Sequence, residues 1–149
     1  MDRFTELNRQ QIEARIPHRQ PFIFLDRVTE LEEGRRAIGW MDNPLEYLTR
    51  FGRHYAENLV MPASIWVEVV SEVLGVTIGL PPGKFGMLAE LKEWEFKTEK
   101  LAGPVSITVV VSRLRSKSAS GHGEVTVNNN FVAGGMVLGI FGSKDDLAA

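Results

Sequence analysis

Cysteine is missing from this chain altogether, and with it go disulfides, thiolate zinc sites and a thiol nucleophile. An excess of charge of one sign is missing too. Lys and Arg number 17 against 19 Asp and Glu, a formal net charge of −2, so no electrostatic force draws the chain onto nucleic acid or an anionic membrane. No apolar run approaches the roughly 20 residues of a membrane helix. The opening MDRFTELNRQQIEARIP is too polar for a signal peptide, and a cytoplasmic protein without a membrane span is the expectation. Linkers, internal repeats and low-complexity tracts are also lacking, so residues 1–149 read as one domain. The histidines stand at 18, 54 and 122 without metal-ligand spacing, and no metal is expected. PPGKFG places a lysine among glycines without P-loop spacing and reads as a turn. Ser64 belongs to no nucleophile-elbow pattern and is better suited to a first helical turn.

What remains is a soluble globular composition, 44% hydrophobic and 24% charged, in a chain long enough to bury a core without staples. Residues 4–14 suit a short polar helix ended by Ile16-Pro17. PFIFLDRVTEL (21–31) and RAIGWM (36–41) read as strands joined by a turn at Gly34. Residues 42–63 carry Pro44, Gly52 and Pro62 and read as a long irregular segment with one helical turn, a kind of connection that usually serves function. A helix runs from Ser64 to about Leu80, stopped by Pro81-Pro82-Gly83. Strands follow at 85–96 and 105–116, then a hairpin over 120–141 that turns at Asn128–Asn130, and the last residues, SKDDLAA, read as a frayed tail. Strands in succession around a single long helix make an α+β arrangement with an antiparallel sheet; a doubly wound parallel sheet is disfavoured.

The stretch RHYAENLVMPASIWVEVVSE (53–72) holds the chemistry. Ile65, Trp66, Val67, Val69, Val70, Val73, Leu74, Val76, Ile78 and Leu80 point in nearly every direction around the helix, which must therefore be buried by a wrapping sheet or by a second subunit. Ser64, Glu68, Ser71, Glu72, Gly75 and Gly79 share one narrow stripe. A desolvated carboxylate needs a partner or a raised pKa, and Glu68 and Glu72, one turn apart, each disfavour ionisation of the other. One of them is then expected to keep a proton near neutral pH, as a general acid requires. The pattern alone fits equally well a stripe that faces water and two solvated glutamates. Asp26 reads as an exposed or ion-paired residue, and His122, between two glycines, as an exposed turn residue.

Two motifs resemble the β-hydroxyacyl-acyl-carrier-protein dehydratases of the hot-dog fold. IPHRQPFIFLDRVTEL (16–31) is similar to that family's I-P-H-R-x-P-F-x-x-x-D-R-V opening. In the second motif a loop histidine precedes a Met/Phe-Pro-Gly step and, fourteen residues on, a catalytic Glu or Asp; here His54, Met61-Pro62-Ala63 and Glu68 fall at those places. FGMLAELKEWEFKTEKLAGPVSITVVVSRLRS is similar more loosely to a later family region. The resemblance implies a sheet wrapped around one central helix and dehydration of 3-hydroxyacyl thioesters to trans-2-enoyl thioesters, in fatty acid or specialised acyl or polyketide synthesis. It implies His54 as the base, Glu68 as partner of the leaving hydroxyl and the Ala63 N–H as oxyanion donor, with Trp66, Phe85 and Met87 as candidate walls of an acyl tunnel. His18 is assigned to holding a loop by hydrogen bonding. No cofactor is implied; the partners are an acyl carrier protein or coenzyme A thioester and a second copy of the chain, as a dimer or trimer of dimers, each site shared between subunits. The chain departs from the family where Ala63 replaces glycine, Glu72 a glutamine and Arg53 a glycine, and where Tyr55-Ala56-Glu57 follows the histidine. A hot-dog acyl-CoA thioesterase, with Glu68 activating water, and a non-catalytic relative that binds acyl carrier protein are the alternatives.

Overall fold

A computed structural model describes residues 5–80, 83–143 and 145. Its elements in chain order are β1 (Thr5–Asn8), α1 (Arg9–Glu13), β2 (Arg27–Glu32), β3 (Arg36–Met41), α2 (Pro44–Leu48), α3 (Arg53–Asn58), α4 (Ala63–Ile78), β4 (Lys84–Phe96), β5 (Val105–Leu114), β6 (Ser118–Val127) and β7 (Asn130–Ser143). The strands form one antiparallel sheet in the order β1-β2-β3-β5-β6-β7-β4. This is the α+β architecture anticipated from the sequence, with α4 as the long helix against the sheet.

Helix α4 buries Ile65, Trp66, Val67, Val69, Val70, Val73, Leu74 and Val76. The sheet makes room for it with glycine. A Cβ on Gly123 would stand 2.4 Å from Val70 Cγ1, and one on Gly39 would stand 2.5 Å from Val73 Cγ2. The glycines of GHG are therefore not turn residues. They lie in β6 beneath the helix, and His122 between them is exposed on the strand, 3.7 Å from Glu124. That corrects the reading of His122 as part of a turn: the missing side chains serve close approach.

Three further expectations need correction. The proposed helix at 4–14 is helical only over Arg9–Glu13, because Asn8 closes a reciprocal capping box with Gln11 and the residues before it pair with β2. Residue 4, like Pro81-Pro82 and most of the tail, lies outside the described residues. The strand expected over 21–31 begins only at Arg27. Ile23, Phe24 and Leu25 are all fully buried in succession, without the in–out alternation of a one-sided strand. Finally, residues 42–63 hold two short helices rather than one turn.

That connection is anchored firmly. Tyr47 on α2 accepts from Arg9 Nη2 at 2.7 Å and donates to Asp26 Oδ1 at 3.0 Å, while Arg9 pairs with the same carboxylate at 2.9 Å. Asp26 is thus ion-paired. Burial, and then the Asp26 charge, push the Tyr47 hydroxyl up to about 12, so it keeps its proton across this junction. Helix α3 is bracketed by Gly52 at φ 110° and Leu59 at φ 55°, the latter a left-handed conformation unusual for a branched residue.

Candidate active site

His54 of α3 and the first turn of α4 border one cavity of about 310 Å³, which the end of β4, residues 97–99 and β7 also line; Met61, Ala63, Trp66, Phe96, Lys97 and Val132 are among its walls. His54 is exposed on α3, where its ring packs edge-on against Tyr55. Asn58 Nδ2 donates to the His54 carbonyl at 2.7 Å and lies 3.4 Å from Nδ1, a distance too long to fix the tautomer. Ala63 opens α4 immediately after Pro62, and no side chain caps that end. The Ile65 N–H donates to the Pro62 carbonyl at 2.9 Å, while the Ala63 N–H, with no capping side chain, is left for another acceptor in the positive field of the helix N-terminus.

Glu68 lies on a second, smaller cavity of about 100 Å³, together with His18, Ser71, Leu74, Ile78, Met87 and Phe141. The two cavities share no lining residue. Within one protomer the structure therefore groups His54 with Ala63 and Trp66, and sets Glu68 apart with Met87. Phe85 lines neither cavity. Apolar walls dominate the Glu68 cavity, so a bound carboxylate or hydroxyl there would meet few competing polar groups.

His18 does more than the sequence suggests. Its Nε2 lies 3.0 Å from Glu68 Oε1, across fifty residues of sequence. Its Nδ1 is buried without a partner among the described residues. A buried, unpaired N–H is the costlier orphan, which places the ring proton on Nε2, donating to Glu68. Glu68 Oε2 is left for a ligand. The motif position Ile16-Pro17-His18 was visible in the sequence, but no local spacing connects it to the helix.

Glu72, one turn below, is fully buried. The water-facing reading of the stripe therefore fails at this position, although Glu68 is partly open. The Phe24 N–H donates to Glu72 Oε1 at 2.9 Å, and Oε2 is buried without a partner among the described residues. Burial raises its carboxyl well above the usual 4.5; the neighbouring Glu68 adds to this, and the Phe24 amide opposes it. The surroundings of Glu72 thus disfavour its ionisation. Among the described residues no group of three His, Asp or Glu side chains is placed to hold a metal ion. No helix among them is long and apolar enough to cross a membrane.

No protein-family model matches the chain. It is 33% identical over 142 residues to the 3-hydroxyacyl-[acyl-carrier-protein] dehydratase FabZ of Geobacillus thermodenitrificans, a match covering 93% of this chain and 97% of that protein. Its fold is shared with the dehydratase heterocomplex ApeI:P from Xenorhabdus doucetiae, at TM-score 0.72 and 15% identity over 92% of this chain and 94% of that one. A hot-dog-like protein from Thermanaerovibrio acidaminovorans superposes at TM-score 0.61 and 16% identity, over 79% and 88% of the two chains. The sheet around α4 is accordingly a hot-dog fold, and the near full-length identity carries the more specific conclusion: the chain belongs to the FabZ family of 3-hydroxyacyl-[acyl-carrier-protein] dehydratases.

Proposed function

We propose that the protein removes water from 3-hydroxyacyl thioesters on acyl carrier protein, giving trans-2-enoyl thioesters, without a cofactor. One observation carries the reading of the site. His54 and the uncapped N–H of Ala63 line one cavity, while Glu68, held by His18, lines another. With the substrate between two such half-sites, His54 takes the C2 proton and the thioester carbonyl gathers negative charge against the Ala63 N–H. Glu68 holds the C3 hydroxyl as the C3–O bond breaks, and the departing hydroxide receives the proton that His54 took from C2 and leaves as water.

The two half-sites meet across a dimer. Among the described residues β4 is an edge strand, paired to β7 on one side only, and it exposes Met87, Leu88, Leu91 and Phe96. A long apolar edge of this kind is normally covered. Pairing it with the β4 of a second copy continues the sheet and presents each protomer's His54 to its partner's Glu68, either as a dimer or as a dimer within a hexamer. Trp66 and Met87, on the two cavities, form walls for the acyl chain in this arrangement. A cytoplasmic location accompanies a substrate of this class.

Ultraviolet absorbance of the conjugated enoyl thioester tests the reaction, with a 3-hydroxyacyl or enoyl thioester as substrate. Formation or hydration of the double bond, abolished in His54→Ala, is the expected result. Release of free thiol would instead indicate a thioesterase, and neither product a binding protein.

A further inference from the structure

The segment 17–26 grips α4 at two points one turn apart. Its first end sets His18 against Glu68 Oε1 at 3.0 Å. Its other end donates the Phe24 N–H to Glu72 Oε1 at 2.9 Å, and Phe24 itself is buried between Tyr47 and Phe51. Glu72 is fully buried and does not border the cavity that Glu68 lines. It has no access to substrate there, yet it secures the segment that holds the residue which does. The geometry points to Glu72 as a positioning residue for Glu68: its carboxyl fastens the Phe24 end of the segment whose other end fixes Glu68 through His18.

The surroundings favour the neutral form and penalise the charged one. From its own helix Glu72 faces Glu68, a like charge. From α1 it faces Arg9, whose guanidinium is already committed to Asp26, Tyr47 and the Leu25 carbonyl. From the segment it faces the Phe24 and Leu25 amides. Two amides and a cation already engaged elsewhere leave an ionised Glu72 with a desolvated charge and a second anion one turn from the first. An isosteric amide makes the Phe24 contact equally well and cannot ionise. Glu72 therefore adds to the site a pH dependence that a glutamine would lack: ionisation strengthens the Phe24 bond itself, but the buried anion is relieved only when the segment lifts to admit water, so that His18 loses its register on Glu68 and turnover falls at alkaline pH.

This inference rests on the dehydratase reading for its kinetic effect and on the fold alone for the contact. The test uses the full chain and the variants Glu72→Gln and Glu72→Leu. In the enoyl assay, kcat of the wild type falls on the alkaline side, and Glu72→Gln shifts or removes that fall while staying within about threefold at pH 6. Glu72→Leu lowers kcat about tenfold or more at every pH with KM changed less than threefold, since no acceptor for Phe24 remains. Backbone amide NMR supplies the second readout: the Phe24 amide and the His18 ring shift together in one titration that is absent from Glu72→Gln. Superimposable pH profiles for wild type and Glu72→Gln, in an active enzyme, overturn the proposal. So does a Phe24 amide that titrates alike in both proteins or in neither. A wild type that shows no dehydration but does show the coupled titration overturns the dehydratase reading and upholds the contact.

Discussion

His54 and Glu68 are the residues whose loss should cost the reaction most. Each alanine substitution is expected to lower kcat by about 10²–10⁴-fold, the usual worth of a positioned acid or base, with the thermal midpoint little changed because both side chains are partly open. The proposed oxyanion donor can be tested through the backbone. Pro62 has φ −56° and ψ 133°, the conformation that readily precedes proline, and position 63 is the first helical residue. Ala63→Pro should therefore keep the helix and delete one N–H, lowering kcat by about 10²–10³-fold; an unchanged kcat would remove Ala63 from the mechanism. Glu72 carries a stability prediction as well. Its folded carboxyl binds protons above the unfolded range, so stability falls as pH climbs from near 4.5 towards the folded value and levels off beyond it. The slope in that window is about 1.4 kcal/mol per pH unit, and urea unfolding of Glu72→Gln should not show it. At this scale the sequence singled out His54 and Glu68 as candidates through a motif that spans α3 and α4, and the anomaly of Glu72 through spacing along α4. It could not show that His18 reaches Glu68, because that contact joins residues fifty apart and is set by the path of a segment without regular structure.

Among the elements, α4 was the most legible, because a helix apolar on nearly every side has few places to go. Its observed span, Ala63–Ile78, differs from the expected one by a residue or two at each end. The segment 21–26 was misread because a strand and a fully buried irregular run share the same apolar composition, and only the burial of Ile23, Phe24 and Leu25 together tells them apart. The glycines of β6 were misread as turn signals for a similar reason: composition does not say whether a missing Cβ frees the backbone or admits a neighbour. Gly123→Ala tests this. The new methyl would press on Val70 Cγ1, and overpacking should cost about 1–3 kcal/mol in thermal or urea unfolding, whereas at a mere turn it would cost far less.

At the scale of the whole molecule, the protomer is, on the proposed reading, an incomplete catalyst. The residues proposed as base and acid line separate cavities, and among the described residues the apolar β4 edge is paired on one side only. Leu91→Lys on that edge should shift the protein towards monomer in analytical ultracentrifugation and lower activity in parallel, since a monomer holds no complete site. The measurement that tests this most directly is complementation between two inactive variants. His54→Ala and Glu68→Gln, each inactive alone in the enoyl thioester assay, are mixed and allowed to exchange subunits. Random pairing makes half the dimers mixed, each with one intact site, so about a quarter of wild-type activity should return. A mixture that remains inactive after exchange into mixed dimers is demonstrated would contradict a site built from His54 of one protomer and Glu68 of the other.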